Sequence, residues 1–323
     1  MNLFVTMNYP FEEKKYKSRL EEIYDIDGVT GIRINLCRYE KDDYKKAVDF
    51  FMKILEEPAK DYQLAFDLPF PRNKSRILAF NLMTNEIERS RQYSIVVTQP
   101  KNKNEIQVMG KHFSEDLKNG DILYYGDGDG IFEIIKAEDE KLQVVALNSF
   151  LIWKNKAITG NLSQNDIQTI KPLINLTELT SAPEKMIFFP SFVTCQNEVE
   201  KLREMLYKKA LIIPKIECYK SCETIDETID KSDGTLLARG DTAYYMGITN
   251  ILEIERYVGK RTQEQGKRLF AATDILESLQ KNAIPLRADI TDVCVLNEIG
   301  CTDLIISNAF SNIRNVVSFL NLL

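Results

Sequence analysis

Along the chain, short apolar runs alternate with stretches in which apolar side chains recur every three or four positions. The runs at 3–6, 31–36, 63–67, 186–191, 211–216, 234–238, 268–272 and 303–306 read as strands covered on both faces, as parallel strands between helices are. The stretches between them read as helices. Residues 42–55 set Tyr44, Val48, Phe51, Met52 and Leu55 on one face, residues 196–207 do the same with Val199, Leu202, Leu206 and Tyr207, and 248–265 is a third amphipathic segment. Eight strand-then-helix units predict an α/β fold, a TIM (β/α)8 barrel; a doubly wound open sheet is the alternative that the count leaves open.

The regularity breaks between about Leu78 and Gln164. There the runs YSIVVT, DILYY, IFEII and LQVVAL are β-branched, close together and separated by the turn-forming stretches NKNE, GDGDG and AEDEK. This pattern predicts a small antiparallel, barrel-like β-domain at 78–165, inserted after strand 3 into a barrel made of 1–77 and 166–323. Chemistry on such barrels takes place at the C-terminal ends of the strands, so an insertion there is placed to act as a lid. GDGDG at 126–130 is not followed by GK[ST], which rejects a P-loop and leaves a tight turn.

Charge and composition narrow the chemistry. The 323 residues carry 48 acidic and 42 basic side chains, a net charge of −6, which argues against a nucleic-acid partner. No apolar run approaches the roughly 18–20 residues that span a bilayer, and MNLFVTMNYPFEEKK has no export-signal pattern, so a soluble, cytoplasmic protein is expected. Six cysteines lack scaffold spacing; Cys218 and Cys222 stand four apart with no second pair, which argues against structural zinc. The single histidine, His112, leaves nothing for a Ser-His-Asp triad. Catalysis here would rest on Lys, Arg, carboxylates and a metal ion.

Polar residues at the predicted strand ends are Arg33, Asn35, Asp67, Ser191, Lys215, Glu217, Asp241 and Thr273. Glu217 and Asp241 offer hard oxygen ligands suited to Mg²⁺ or Mn²⁺. A lysine beside such an ion suits the stabilisation of charge on a transferring phosphoryl group or an enolate.

The segment 215–241, KIECYKSCETIDETIDKSDGTLLARGD, resembles the KIE-to-ARGD stretch of the pyruvate kinase family. AATDILES resembles that family's ATQMLES, LRADITDV its TRAEGSDV, GIRINL the start of its ARLNFSHG, LAFD its LLDTKGPEIR and PSFV its ASFV. LKNGDILYYGDGDGIFEI is similar to its mobile lid domain. The resemblance implies a Mg²⁺-dependent phosphotransferase acting on phosphoenolpyruvate and pyruvate, or on a related enolpyruvate. Lys215 would stabilise the transferring phosphoryl group and the enolate oxygen, and Arg33 would contact that phosphoryl group. Glu217 and Asp241 would hold the metal. Backbone N–H groups around Ala238, Gly240 and Asp241 would bind the carboxylate, with Thr273 beside it and near the proton delivered to the methylene. Asp127 or Asp129 would be the lid aspartate. The last predicted helix ends at Leu323, so the family's C-terminal regulatory domain, and its control by fructose bisphosphate, are expected to be missing; a monomer or homodimer follows.

Departures from the family pattern cluster on one side of the site. NFSHG becomes Asn35-Leu36-Cys37-Arg38-Tyr39, and DTKGPEIR becomes Asp67-Leu68-Pro69-Phe70-Pro71-Arg72-Asn73-Lys74. Asn35 and Asp67 remain from the monovalent-cation site, but a thiol and a leucine are poor K⁺ ligands, and Arg72 offers a fixed cation in its place. K⁺ is therefore expected to be dispensable. Arg38 and Lys74 are the remaining candidates for contacting ADP or ATP. Three readings stay open: the phosphotransferase in a specialised pathway, a 2-oxo acid lyase, decarboxylase or aldolase that keeps the metal–enolate site without nucleotide, and a non-catalytic regulatory homologue.

Overall fold

The computed structural model describes residues 1–7, 19–20, 22–23, 25–36, 46–47, 50, 62–68, 74–110, 113–115, 117–126, 128–160, 185–206, 209–307 and 312–323, with Lys74 as backbone only. The chain divides into two compact units, Met1–Pro69 with Ile167–Leu323, and Phe70–Asp166. In chain order the strands are β1 (Asn2–Met7), β2 (Val29–Asn35), β3 (Gln63–Asp67), β4 (Lys74–Asn81), β5 (Glu86–Ile87), β6 (Gln92–Val96), β7 (Glu105–Val108), β8 (Ile122–Tyr125), β9 (Gly130–Glu138), β10 (Lys141–Ala146), β11 (Phe150–Leu151), β12 (Ala157–Thr159), β13 (Met186–Phe189), β14 (Leu211–Ile212), β15 (Lys215–Ile216), β16 (Gly234–Ala238), β17 (Arg268–Ala272) and β18 (Asp303–Ile306). The α-helices lying wholly within the described residues are α1 (Gln196–Met205), α2 (Tyr219–Glu223), α3 (Ile225–Lys231), α4 (Arg239–Met246), α5 (Ile251–Glu264), α6 (Arg287–Glu298) and α7 (Ile313–Leu320).

The first unit is an α/β fold around one parallel sheet, ordered β14-β13-β3-β2-β1-β18-β17-β16-β15. Its strands are buried on both faces, and alternate residues divide between two apolar clusters, as a period of two requires. Leu3, Val5, Ile32, Ile34, Leu64 and Phe66 join Val199, Leu202, Val258, Val293 and Val316 from the helices in the larger cluster. Phe4, Ala65, Ile187, Phe189, Leu236 and Phe270 form a smaller one, in which the Phe270 ring packs edge-on against Phe4 at 5.5 Å and against Phe189 at 5.3 Å.

The two end strands of this sheet are halves of one extended segment, 211–216. Pro214 has no N–H, which interrupts the ladder without turning the chain. Ile213 and Lys215 donate to the Phe188 and Pro190 carbonyls at 2.9 and 3.0 Å on one side. On the other, Leu236 and Asp233 donate to the Pro214 and Ile212 carbonyls, each at 2.9 Å.

The second unit contains a closed barrel, β10-β6-β7-β4-β12-β8-β9, and a two-stranded ribbon of β11 and β5. Its core is Ile106, Tyr125, Phe132, Val144 and Phe150, among others. The pairing is antiparallel as expected except for β6 with β7, which run parallel. Residues 97–104 connect them, and Glu105 holds that connection by accepting from the Lys101 and Asn102 backbone N–H groups, both at 2.8 Å. GDGDG closes the β8–β9 hairpin, where Tyr125 pairs with Gly130. Gly126 needs its glycine: φ is +66° and an added Cβ would lie 2.1 Å from Asp129 Oδ2.

The helix expected at 196–207 is α1, and the one at 248–265 is a 3₁₀ turn at Ile248–Asn250 followed by α5. Most of the helix expected at 42–55 lies outside the described residues. Among those described, no helix is long and apolar enough to cross a membrane.

Candidate active site

Lys215 opens β15 and is only 5 % exposed. A buried ammonium is costly unless it is paired, and here two carboxylates flank it. Its Nζ lies 2.9 Å from Asp67 Oδ1 and 3.2 Å from Glu217 Oε1. Asp67 ends β3, and its other oxygen accepts from Arg33 on β2. Arg33 in turn donates to Thr6 Oγ1 on β1 at 3.2 Å. Glu217, fully buried just beyond β15, also accepts from the Phe192 backbone N–H at 2.6 Å. The cluster therefore joins the C-terminal ends of β1, β2, β3 and β15 and the turn after β13. Burial alone would push the Asp67 carboxyl up, but the Lys215 and Arg33 charges and hydrogen bonds outweigh it and lower its pKa to about 2.

A second group is carried by β16 and β17, which pair in register from Gly234 with Arg268 to Ala238 with Ala272. Ala238 caps α4, and Gly240 and Asp241 lie in its first turn. Asp241 is well placed against the positive end of the helix. Thr273, just after β17, holds φ at +81°, a genuine outlier for a β-branched residue, and Asp274 and Leu276 follow at +56° and +51°. A Cβ at Gly240 would lie 3.3 Å from Thr273 Cγ2, so the two residues face each other at close quarters. β15 and β16 are neighbours, with Ile216 opposite Leu237. Glu217 and Asp241 thus leave adjacent strand ends.

Those two carboxylates are the donor type that Mg²⁺ or Mn²⁺ takes. Among the described residues no three His, Cys, Asp or Glu side chains gather as a metal-binding group. Two carboxylates leaving adjacent strand ends are thus a partial donor set for such an ion.

Of the other sequence candidates, Asn35 ends β2 directly opposite Asp67. Ser191 donates from Oγ to the Leu68 carbonyl at 3.2 Å. Lys74 begins β4, in the second unit. Asp129 is 3.5 Å from Lys156 within that unit. Cys37, Arg38, Arg72, His112 and Asp127 lie outside the described residues.

The pyruvate kinase barrel-domain model, "Pyruvate kinase, barrel domain", matches residues 12–309. The chain belongs to the pyruvate kinase family. It is 24 % identical to the pyruvate kinase of Thermotoga maritima over 279 residues, covering 85 % of this chain and 59 % of that one. Against the Sporosarcina psychrophila pyruvate kinase it is 25 % identical over 85 % of this chain and 48 % of that one. Against pyruvate kinase 1 of Saccharomyces cerevisiae it is 30 % identical over 57 % of this chain and 38 % of that one. The chain thus spans about half the length of these family members.

Sequence reasoning missed two groups in this cluster. Thr6 at the end of β1 escaped notice, although its place at a strand terminus is a readable signal. Phe192, with φ at +52°, offers its N–H to Glu217 through a backbone conformation that nothing in the sequence announces.

Proposed function

We propose that this chain is a pyruvate kinase-like, Mg²⁺-dependent phosphotransferase acting on phosphoenolpyruvate and pyruvate or a related enolpyruvate. The observation that carries the proposal is Lys215, buried between Asp67 and Glu217 and backed by Arg33 through Asp67. Such a site, with a divalent ion added, would supply the positioning and charge neutralisation that phosphoryl transfer needs. In this reading segment 211–216 closes the parallel sheet into an eight-stranded (β/α)8 barrel. The second unit, inserted in the chain between β3 and β13, is the lid.

Lys215 stabilises the transferring phosphoryl group and then the enolate oxygen, and Arg33 contacts the phosphoryl oxygens. The first N–H groups of α4, around Ala238, Gly240 and Asp241, orient the carboxylate. Thr273 stands beside that carboxylate, near the methylene that receives the proton. Glu217 and Asp241 hold the divalent ion, which when bound supplies electrophilic charge to the substrate oxygens. The nucleotide falls to Arg38 and Lys74. K⁺ is not required, a reading supported by Cys37 and Leu68, which stand where oxygen ligands would be expected, and by Arg72 as a fixed cation in its place. The protein works in the cytoplasm, as a monomer or homodimer, in a specialised pathway.

The test is a ³¹P NMR time course of phosphoenolpyruvate, ADP, Mg²⁺ and protein, run in Na⁺ and again in K⁺. Loss of phosphoenolpyruvate with appearance of ATP at similar rates in both salts is expected. Unchanged spectra in both reject the reaction and turn the search to other 2-oxo acids; turnover in K⁺ alone rejects the K⁺-independent form.

A further inference from the structure

Behind the substrate side of α4 lies a charge cluster outside the chemistry assigned above. Arg239 is the first residue of α4, directly before Gly240 and Asp241. Its Nη1 donates to Asp292 Oδ2 on α6 at 2.7 Å, and its Nε lies 3.3 Å from Glu255 Oε1 on α5. Glu255 is 3 % exposed, and that Oε1 is buried without an aligned hydrogen bond. A carboxylate held inside an amphipathic helix face, among Ile254, Val258 and Thr262, is expensive. Nothing in the packing of α5 calls for it, since an apolar residue would fill the same space at lower cost. Its ion-pair partner among the described residues is the residue that opens α4, whose first turn faces Thr273.

We propose that Glu255 and Asp292, gripping Arg239 from two different helices, fix the first turn of α4 in the attitude that binds the substrate carboxylate, so that Glu255 is a positioning residue of the site. The argument is geometric. A helix of eight residues, Arg239–Met246, has few internal hydrogen bonds with which to hold its own direction. The guanidinium at its first position is anchored along two directions by α5 and α6, each braced in the core through Val258 and Val293. The same anchoring holds the Arg239 charge on Glu255 and Asp292, away from competition for the substrate's anionic groups. This inference rests on the reading of the α4 N-terminus as the carboxylate site.

The test compares wild type, Glu255→Ala and Glu255→Gln by steady-state kinetics with phosphoenolpyruvate and by amide hydrogen exchange at 239–242. Glutamine keeps the side chain's volume and an oxygen beside Arg239 but not the charge, whereas alanine removes all three. A misdirected binding turn weakens ground-state and transition-state contacts together, so Glu255→Ala is expected to raise KM about tenfold or more with little change in kcat. The amides at 239–242 exchange faster in that variant, and Glu255→Gln, which keeps the volume without the charge, falls between it and wild type in both readouts. Wild-type KM and exchange in Glu255→Ala overturn the proposal, as does a Glu255→Gln variant as impaired as the alanine one. If Glu255→Ala does not fold, Asp292→Ala, at a half-buried position, carries the same comparison, with Asp292→Asn as its conservative partner. An inert wild type defeats the reaction proposed above but not this test, because the exchange pattern alone still decides it.

Discussion

Asp67 is the residue whose replacement reports most directly on how the site is held together. The Asp67→Asn substitution keeps the shape but removes the charge that Lys215 and Arg33 share. Lys215 keeps its pairing with Glu217, and Arg33 its hydrogen bond to Thr6. Removing one partner of a buried ion pair costs about 3–5 kcal/mol, because the remaining charge stays desolvated. We therefore expect Asp67→Asn to lower the unfolding free energy at pH 7 by about 3 kcal/mol, on the scale set by that pairing. The pH dependence follows from the carboxyl itself. Its folded pKa is depressed from 3.8 to about 2, so its stabilisation is fully present above the unfolded value and is lost as pH falls through the folded one. A shift of that size corresponds to about 2 kcal/mol. The gap between wild type and Asp67→Asn should therefore be flat from pH 7 to about pH 4 and shrink by about 2 kcal/mol toward pH 2. Urea unfolding of both proteins at a series of pH values measures it. A gap below about 1 kcal/mol at pH 7, or one that stays constant down to pH 2, would refute the placement of a charged Asp67 between two buried cations.

Two further substitutions separate site from scaffold. Gly240→Ala would put a methyl 3.3 Å from Thr273 Cγ2, tighter than an ordinary contact; we expect a folded protein whose KM for phosphoenolpyruvate rises about tenfold, and an unchanged KM in steady-state assays would refute the close pairing of α4 with Thr273. In the second unit, Glu105→Ala removes the acceptor for the Lys101 and Asn102 N–H groups and for Asn102 Nδ2. The connection at 97–104 should loosen, with tryptic cleavage after Lys101 or Lys103 several-fold faster and phosphoenolpyruvate affinity unaltered; cleavage at the wild-type rate would show that Glu105 is not what holds it.

The parallel strands were legible because a strand buried on both faces is spelled as a continuous apolar run, which neither a surface helix nor a half-exposed strand imitates. Residues 234–238 and 268–272 coincide with β16 and β17 for that reason. In the second unit β7, with the sequence EIQV, and the three-residue β12 gave no such run and were not read as strands. The parallel pairing of β6 with β7 depends on a loop clamped by Glu105, which no local pattern encodes. The site divides along the same line. Asn35, Asp67, Lys215 and Glu217 were readable because each lies at or just beyond the end of a strand, and topology alone brings strand ends together. Arg239, Glu255 and Asp292 were not linked by the sequence, because they sit on three helices and their meeting is decided by the packing of those helices.

The charges at the centre of the site explain why it can be both stably buried and receptive. Lys215 and Arg33 face Asp67 and Glu217, two cations against two carboxylates, so the cluster is close to neutral and tolerates its burial. A polyanionic enolpyruvate phosphate arriving alone would overload it with negative charge, and a divalent cation arriving alone would place excess positive charge beside Lys215. Together they keep the balance. The low pKa of Asp67 belongs to this arrangement: a carboxyl that protonated readily would leave Lys215 and Arg33 repelling each other across a buried gap and would blunt the pairing that positions both. Asp67 is thus the internal counter-ion that sets the direction of Lys215 and Arg33, and the same residue accounts for the geometry of that electrophilic pair.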